Sequence, residues 1–215
     1  MIFDGNVNFY HPSCKLHCVV DLPSILREMA DFCGVSGENF DKILDIAHFQ
    51  NYAKNTIICY KDDICNNLFY LFHGTIKAFK ANKYGNEAIV NLYTNQCAKQ
   101  HNPPLLNYDA FGDGVAKTTL QTLEPCRILS IQIDTLKELM KCDITIANNF
   151  INRANAVLCE LNYFTDLSLM DSKSKVIALL RKHPNILQST SKKLIARLLN
   201  ISQETLSRTL HEINV

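Results

Sequence analysis

The chain has 215 residues, 47% of them hydrophobic and 20% charged, which is enough apolar material for a core and excludes a globally disordered chain. Its formal net charge of +1 argues, taken whole, against a basic nucleic-acid binder and against an acidic tail protein. Nine cysteines, an odd number, with no basic segment and apolar run at the N-terminus, are expected as reduced thiols in a cytoplasmic protein rather than as a disulfide framework.

No run of 18 apolar residues occurs, so no membrane span is expected. The charge is unevenly distributed. Residues 171–215 hold eight basic and three acidic side chains, a net +5, and residues 1–170 hold fourteen and eighteen, a net −4. A basic end of this kind is what a phosphate backbone attracts.

In chain order, residues 1–21 read as a polar tail. Within it His11, Cys14, His17 and Cys18 lie in eight residues and are of the types that bind zinc or haem iron; the alternative is a tail with incidental ligands. Helical spacing predicts one helix over Ser24–Phe32 and a second over Gly37–Ala47, where Phe40, Ile43, Leu44 and Ala47 recur at three and four. From Ala53 to Tyr93 short β-rich runs (TIICY, LFYLF, TIKAF, AIVNLY) alternate with turn residues. His73-Gly74 and Asn82-Lys83-Tyr84-Gly85-Asn86 are among these turns. Residues 95–116 read as irregular, and strands are expected again at TTLQTL and RILSIQI. Short strands at this spacing point to an antiparallel sandwich or barrel.

After Met140, Ile144, Ala147, Ile151, Ala154, Leu158 and Leu161 recur as an a/d seam over three heptads, flanked by asparagines. So narrow a seam favours pairing with a second copy of the helix over burial on the chain's own barrel. Residues 190–213 predict two short helices. The first runs from Ser191, its cap, to Leu199, with Leu194, Ile195, Leu198 and Leu199 buried. Asn200-Ile201 turns the chain, and Ser202 caps a second helix with Leu206 and Leu210 inward. That is the helix-turn-helix plan, and it leaves Gln203, Glu204, Ser207 and Arg208 outward, with Ser191, Lys192 and Lys193 beside them. Arginine can fork onto guanine, a carboxylate can accept from cytosine N4, and serine can serve a base or a phosphate.

The stretch Glu204-Thr205-Leu206-Ser207-Arg208 resembles the recognition helix of the Crp–Fnr family of bacterial transcription regulators, in particular its Fnr branch, which carries Glu-x-x-Ser-Arg. Upstream, Gly74, Ile76 and Lys77, followed by Gly85, Asn86 and Glu87, resemble the family's barrel turns. The resemblance implies an α+β fold: a cyclic-nucleotide-binding-like double-stranded β-helix (jelly-roll) barrel, a long dimerisation helix and a C-terminal helix-turn-helix, here with little or no wing. The corresponding divisions are a tail at 1–21, a sensor barrel at 22–136, a dimerisation helix at 137–170 and a DNA-binding part at 171–215. It further implies a homodimer, a palindromic operator in double-stranded DNA resembling TTGAT half-sites, and RNA polymerase as a partner.

The family's two well-known effectors do not fit. Ala116 and Lys117 stand where a cyclic-nucleotide binder carries its Arg-Ser phosphate pair, so cAMP is not expected. The N-terminal cysteine triplet that holds an iron–sulfur cluster is absent, although Cys126 resembles the barrel ligand. Candidate sensing residues are then Cys14, Cys18 and Cys126, with Cys97 and His101 on the irregular loop; the resemblance extends to members that answer nitrosative stress without a cluster. No metal and no catalytic residue is assigned: a Cys-x-x-Cys pair, a Ser/His/Asp arrangement and a glycine-rich phosphate loop are all missing, and no enzyme is expected. The competing reading is a ligand-binding barrel that does not act through DNA.

Overall fold

The computed structural model describes residues 38–85, 87–95, 104–184 and 186–213. Helix α1 (Glu38–Ile46) leads into strands β1 (Ala47–Tyr52), β2 (Ile57–Cys59), β3 (Asn67–Ala81) and β4 (Glu87–Asn95). A short helix α2 (Ala110–Asp113) precedes β5 (Thr119–Thr122) and β6 (Cys126–Gln132). The rest is helical: α3 (Ile133–Cys142), α4 (Ile144–Leu169), α5 (Ser172–Lys182), α6 (Ile186–Ser189), α7 (Lys192–Leu199) and α8 (Gln203–Glu212). The helix expected over Ser24–Phe32 lies outside the described residues.

All strand pairs are antiparallel, in the order β1-β6-β3-β5-β2, with β4 on β3, and they form a curled sheet. Two strands were expected on either side of His73-Gly74. They are one fifteen-residue strand, β3, because the chain changes partners there instead of turning back. Residues 67–73 pair with β6, and from Gly74 onward β3 lies between β4 and β5. Gly74 makes the change with φ +110°, a backbone that a side chain resists. Strand β1 was not predicted at all. Its alternation, with Ala47 and Phe49 half-buried between exposed His48 and Gln50, directly follows α1 and continues its apolar pattern.

Cross-strand neighbours share a face. Ile76 and Ala78 stand with Tyr93, Asn91 and Leu120 on the inner face; Lys77 stands with Leu92 and Gln121 on the outer one. The inner face joins Ile43, Leu68, Leu71, Ile128 and Leu129 in the barrel core. Leu92 instead belongs to a second core with Leu167, Val176, Leu179, Ile195 and Leu206. One strand of the sheet thus supplies apolar surface to both cores.

The segment expected as one helix over 137–170 is broken at Asp143. Its backbone N–H closes α3 on Leu139 O, and its carboxylate caps α4 by accepting from Thr145 N at 2.7 Å. Helix α4 has 26 residues and no length or apolarity problem to solve alone, because it lies along both cores. Ile146, Phe150, Val157 and Leu161 pack on the barrel; Tyr163, Phe164 and Leu167 pack on the C-terminal helices. Among the described residues no helix is long and apolar enough to cross a membrane.

Candidate nucleic-acid interface

The C-terminal helices form where the local chemistry directs. Ser191 caps α7, its hydroxyl accepting from Leu194 N at 3.3 Å. Asn200 ends the helix at φ 53°, ψ 48°, a left-handed conformation that asparagine tolerates, and its N–H returns to the carbonyls of Ala196 and Arg197. Two residues later the Ser202 hydroxyl accepts from Thr205 N at 3.0 Å and starts α8. Ile195, Ala196 and Leu199 of α7 and Leu206, Thr209 and Leu210 of α8 are buried together over α5. Ala196 supplies the small side chain that lets helices approach.

This packing leaves Gln203, Glu204, Ser207 and Arg208 exposed, as it does Ser191, Lys192 and Lys193. Glu204, Ser207 and Arg208 are related by i, i+3 and i+4 and so lie on one helical face. The first turn of α8 holds the Glu204 carboxyl below the usual carboxylate value, through its own backbone N–H and the Ser202 hydroxyl. Near neutral pH it is therefore an acceptor only. The face presents a carboxylate, a hydroxyl and a guanidinium in sequence, with a pair of lysines at the neighbouring helix start.

A connection that sequence reasoning missed ties this unit to the sheet. Lys77, buried on β3, donates to Glu87 Oε2 at 2.5 Å and sits 4.2 Å from the Phe79 ring centroid. The same oxygen lies 3.8 Å from Arg197 Nη1 on α7. Arg197, a further basic residue of α7, thus faces the barrel. The apolar pattern of β4 held a weak signal of this: in EAIVNLYTN both faces carry large apolar residues, as they must in a strand covered on both sides.

The remaining candidates fall on the barrel. Asp113 at the end of α2 pairs with Lys117 at 2.5 Å, which holds its carboxyl below the ordinary value. Asp109 caps α2 and also accepts from Lys117 N at 2.8 Å. The one cation in the stretch that a cyclic nucleotide would need is therefore already matched by an acid. Cys126 is buried under Gly74, its thiol donating toward Glu124 O at 3.2 Å and Thr75 O at 3.5 Å, and burial pushes it up to about 12. It is a protonated, packed thiol. Cys14, Cys18, Cys97 and His101 lie outside the described residues. Among the described residues no group of three or more metal-binding side chains converges.

The seam residues of α4 divide. Ile144, Ile151 and Leu158, seven residues apart, are 72%, 51% and 48% exposed. Ala147, Ala154 and Leu161 are half-buried, Leu161 against the barrel core.

Residues 49–143 match the family model of the cyclic nucleotide-binding domain. Solved structures share the fold over most of the chain. A chain from Eubacterium rectale, assigned as a transcriptional regulator of the Crp/Fnr family, is 15% identical at a TM-score of 0.65, covering 87% of this chain and 88% of its own. FixK2 from Bradyrhizobium japonicum is 14% identical at 0.63, covering 79% and 85%. CLP from Xanthomonas campestris, a c-di-GMP responsive global regulator that links cell-cell signaling to virulence gene expression, is 14% identical at 0.61, covering 82% and 90%. No curated protein sequence matches the chain.

Proposed function

From a chain that carries a cyclic nucleotide-binding domain and has the fold of the Crp/Fnr family, we propose a DNA-binding transcription regulator whose recognition helix is α8. The observation that carries this reading is the exposed face Glu204, Ser207, Arg208 on the first turns of a helix packed at a tight turn against α7. Those turns are where a recognition helix meets base edges in the major groove. Arg208 is the guanine reader, Glu204 the cytosine reader, Gln203 and Ser207 their neighbours; Ser191, Lys192 and Lys193 hold phosphates. The operator is a palindrome resembling TTGAT half-sites, as Glu-x-x-Ser-Arg implies by resemblance, and RNA polymerase is the partner on the same ground.

The acting unit is a homodimer. Exposed Ile144, Ile151 and Leu158 support it, since a seven-residue apolar repeat in water is what a second helix covers. A signal at the barrel changes how two α4 helices cross, and with that the spacing of the two recognition helices. Half-sites one helical turn apart, about 34–36 Å, make binding sensitive to that spacing.

The test is a titration of the full chain against a TTGAT-type palindrome. Wild-type protein is expected to protect the site, with affinity falling as salt rises by a slope of about −0.9 per phosphate contact. Arg208→Ala is expected to weaken specific binding by about 1–3 kcal/mol and to relax base preference at one position of each half-site. A footprint unchanged by that substitution would remove Arg208 from the reading.

A further inference from the structure

We infer that α4 pairs parallel and in register with α4 of a second copy of this chain, through layers in which Asn148, Asn155 and Asn162 each hydrogen-bond to their own counterparts. Ile144, Ile151 and Leu158 form an exposed apolar row along the helix. Ala147, Ala154 and Leu161, the expected second row, are half-buried, and the second row that solvent meets is Asn148, Asn155 and Asn162. Each asparagine follows an apolar residue by four positions and precedes the next by three. Exposed Thr165 and Leu169 continue the same alternation to the end of α4. Steps of four and three repeat every seven residues, the period of a coiled-coil seam, and a second helix winding with this one covers such a stripe along its whole length. Asparagine is a poor residue for a helix interior, so helix stability does not account for its return every seven residues.

The chemistry of the stripe selects its partner and the direction of pairing. None of its residues is charged, so it offers no ion pair to an acidic or a basic surface. An asparagine amide carries both donors and an acceptor, so two amides related by a two-fold axis satisfy each other. In a parallel pair equivalent positions meet across the axis, amide on amide and apolar on apolar. An antiparallel pair sets the asparagine row against the apolar row and leaves the amides facing Ile and Leu. A slip of three or four residues does the same, and a slip of seven forfeits a layer at each end. Only the parallel, in-register pair satisfies all three amides.

Polar layers of this kind fix register at a cost in affinity. They also fix where the C-terminal helices stand. Both copies of α4 end at the same end of the seam, so both α7–α8 units lie on one side of the dimer, as two half-sites of one operator require. The asparagine layers rest on the homodimer proposed above; that last consequence rests on the regulator reading as well.

The experiment uses the full chain with exposed Cys142 and Cys159 changed to serine, and Asn148→Cys or Asn162→Cys added in separate proteins. Each is oxidised with copper–phenanthroline, digested with trypsin without reduction and read by mass spectrometry. Trypsin cuts at Lys141, Arg153 and Lys173, so position 148 falls on peptide 142–153 and position 162 on peptide 154–173, each then holding a single cysteine. The expected product in each protein is that peptide joined to its own copy, which only a disulfide between equivalent positions of two chains gives, and it is lost on reduction. Sedimentation equilibrium without oxidant is the second reading. Asn155→Ile is expected to lower the dimer dissociation constant about tenfold or more, since one more apolar side chain is buried on each copy. A dimer whose peptides are not joined to their own copies, or whose constant is unmoved by Asn155→Ile, would overturn the asparagine layers and leave the homodimer standing. A monomer at all concentrations would overturn both. Operator binding, measured separately, reports on the regulator reading.

Discussion

A side chain at position 74 would have no room. A Cβ there would lie 2.5 Å from Cys126 Sγ and 2.9 Å from the carbonyl of Pro125, on a backbone at φ +110°. The strain of such a conformation alone is about 1–3 kcal/mol for a residue with a Cβ, and the crowding atoms belong to Pro125 and to Cys126, the first residue of β6. Gly74→Ala is expected to lower the thermal midpoint by several degrees in a scanning denaturation. Gly85 shares the positive φ, at +78°, but has open space around it, so a side chain there meets the backbone strain and no neighbour. Asp171 acts through its charge. The Ser174 hydroxyl, then the Ser174 and Lys173 N–H groups, hold its carboxyl below the ordinary 3.8. A depressed carboxyl favours the folded state above its unfolded value and loses that contribution as pH falls through the lower folded one. Asp171→Asn is expected to flatten the acid side of the stability curve below about pH 4, measured by urea midpoints against pH.

At the level of elements, α4 has two faces with different partners. Ile146, Val157 and Leu167 are buried within this chain, and Ile144, Ile151 and Leu158 are exposed. The heptad was legible in the sequence because its apolar residues recur between asparagines, but the same letters could not say which residues the barrel takes. Ile151→Glu with Leu158→Glu leaves the buried face intact. Light scattering is expected to read the 24.4 kDa chain as a monomer after this change and as twice that mass before it. A mass unaffected by the two glutamates would place the dimer contact elsewhere. The α7–turn–α8 unit was the most legible part of the chain. Ser191, Asn200 and Ser202 each act within four residues of themselves, so their caps follow from local chemistry. Strand β3 was misread for the opposite reason: His73-Gly74 looks like a turn locally, and only the partners β4, β5 and β6 make it a continuous strand.

Across the whole molecule, the sheet and the C-terminal helices meet at β4. Leu92 is buried in the second core, and Glu87 joins Lys77 of the sheet to Arg197 of α7. Leu92→Ala is expected to cost about 2–5 kcal/mol where that core is concerned. Hydrogen exchange is expected to quicken in α7 and α8 while β1 and β6 keep their protection. Equal quickening everywhere would mean one core instead of two. The opposed charges, −4 over residues 1–170 and +5 over residues 171–215, are read in the sequence; the contact of Arg197 with Glu87 on β4 is not.

The amino-acid sequence by itself determined the two short C-terminal helices with their caps, the outward face of Gln203, Glu204, Ser207 and Arg208, and the apolar heptad. Each of these depends on side chains within a few residues of one another, where spacing and capping chemistry dictate the outcome. The tertiary structure alone decided that β3 runs through Gly74, that Arg197 turns to Glu87, and that the Asn107 side chain accepts from Phe69 N. Those partners lie tens of residues apart or more, and no local preference selects them. They are chosen by which surfaces the curled sheet leaves to be covered.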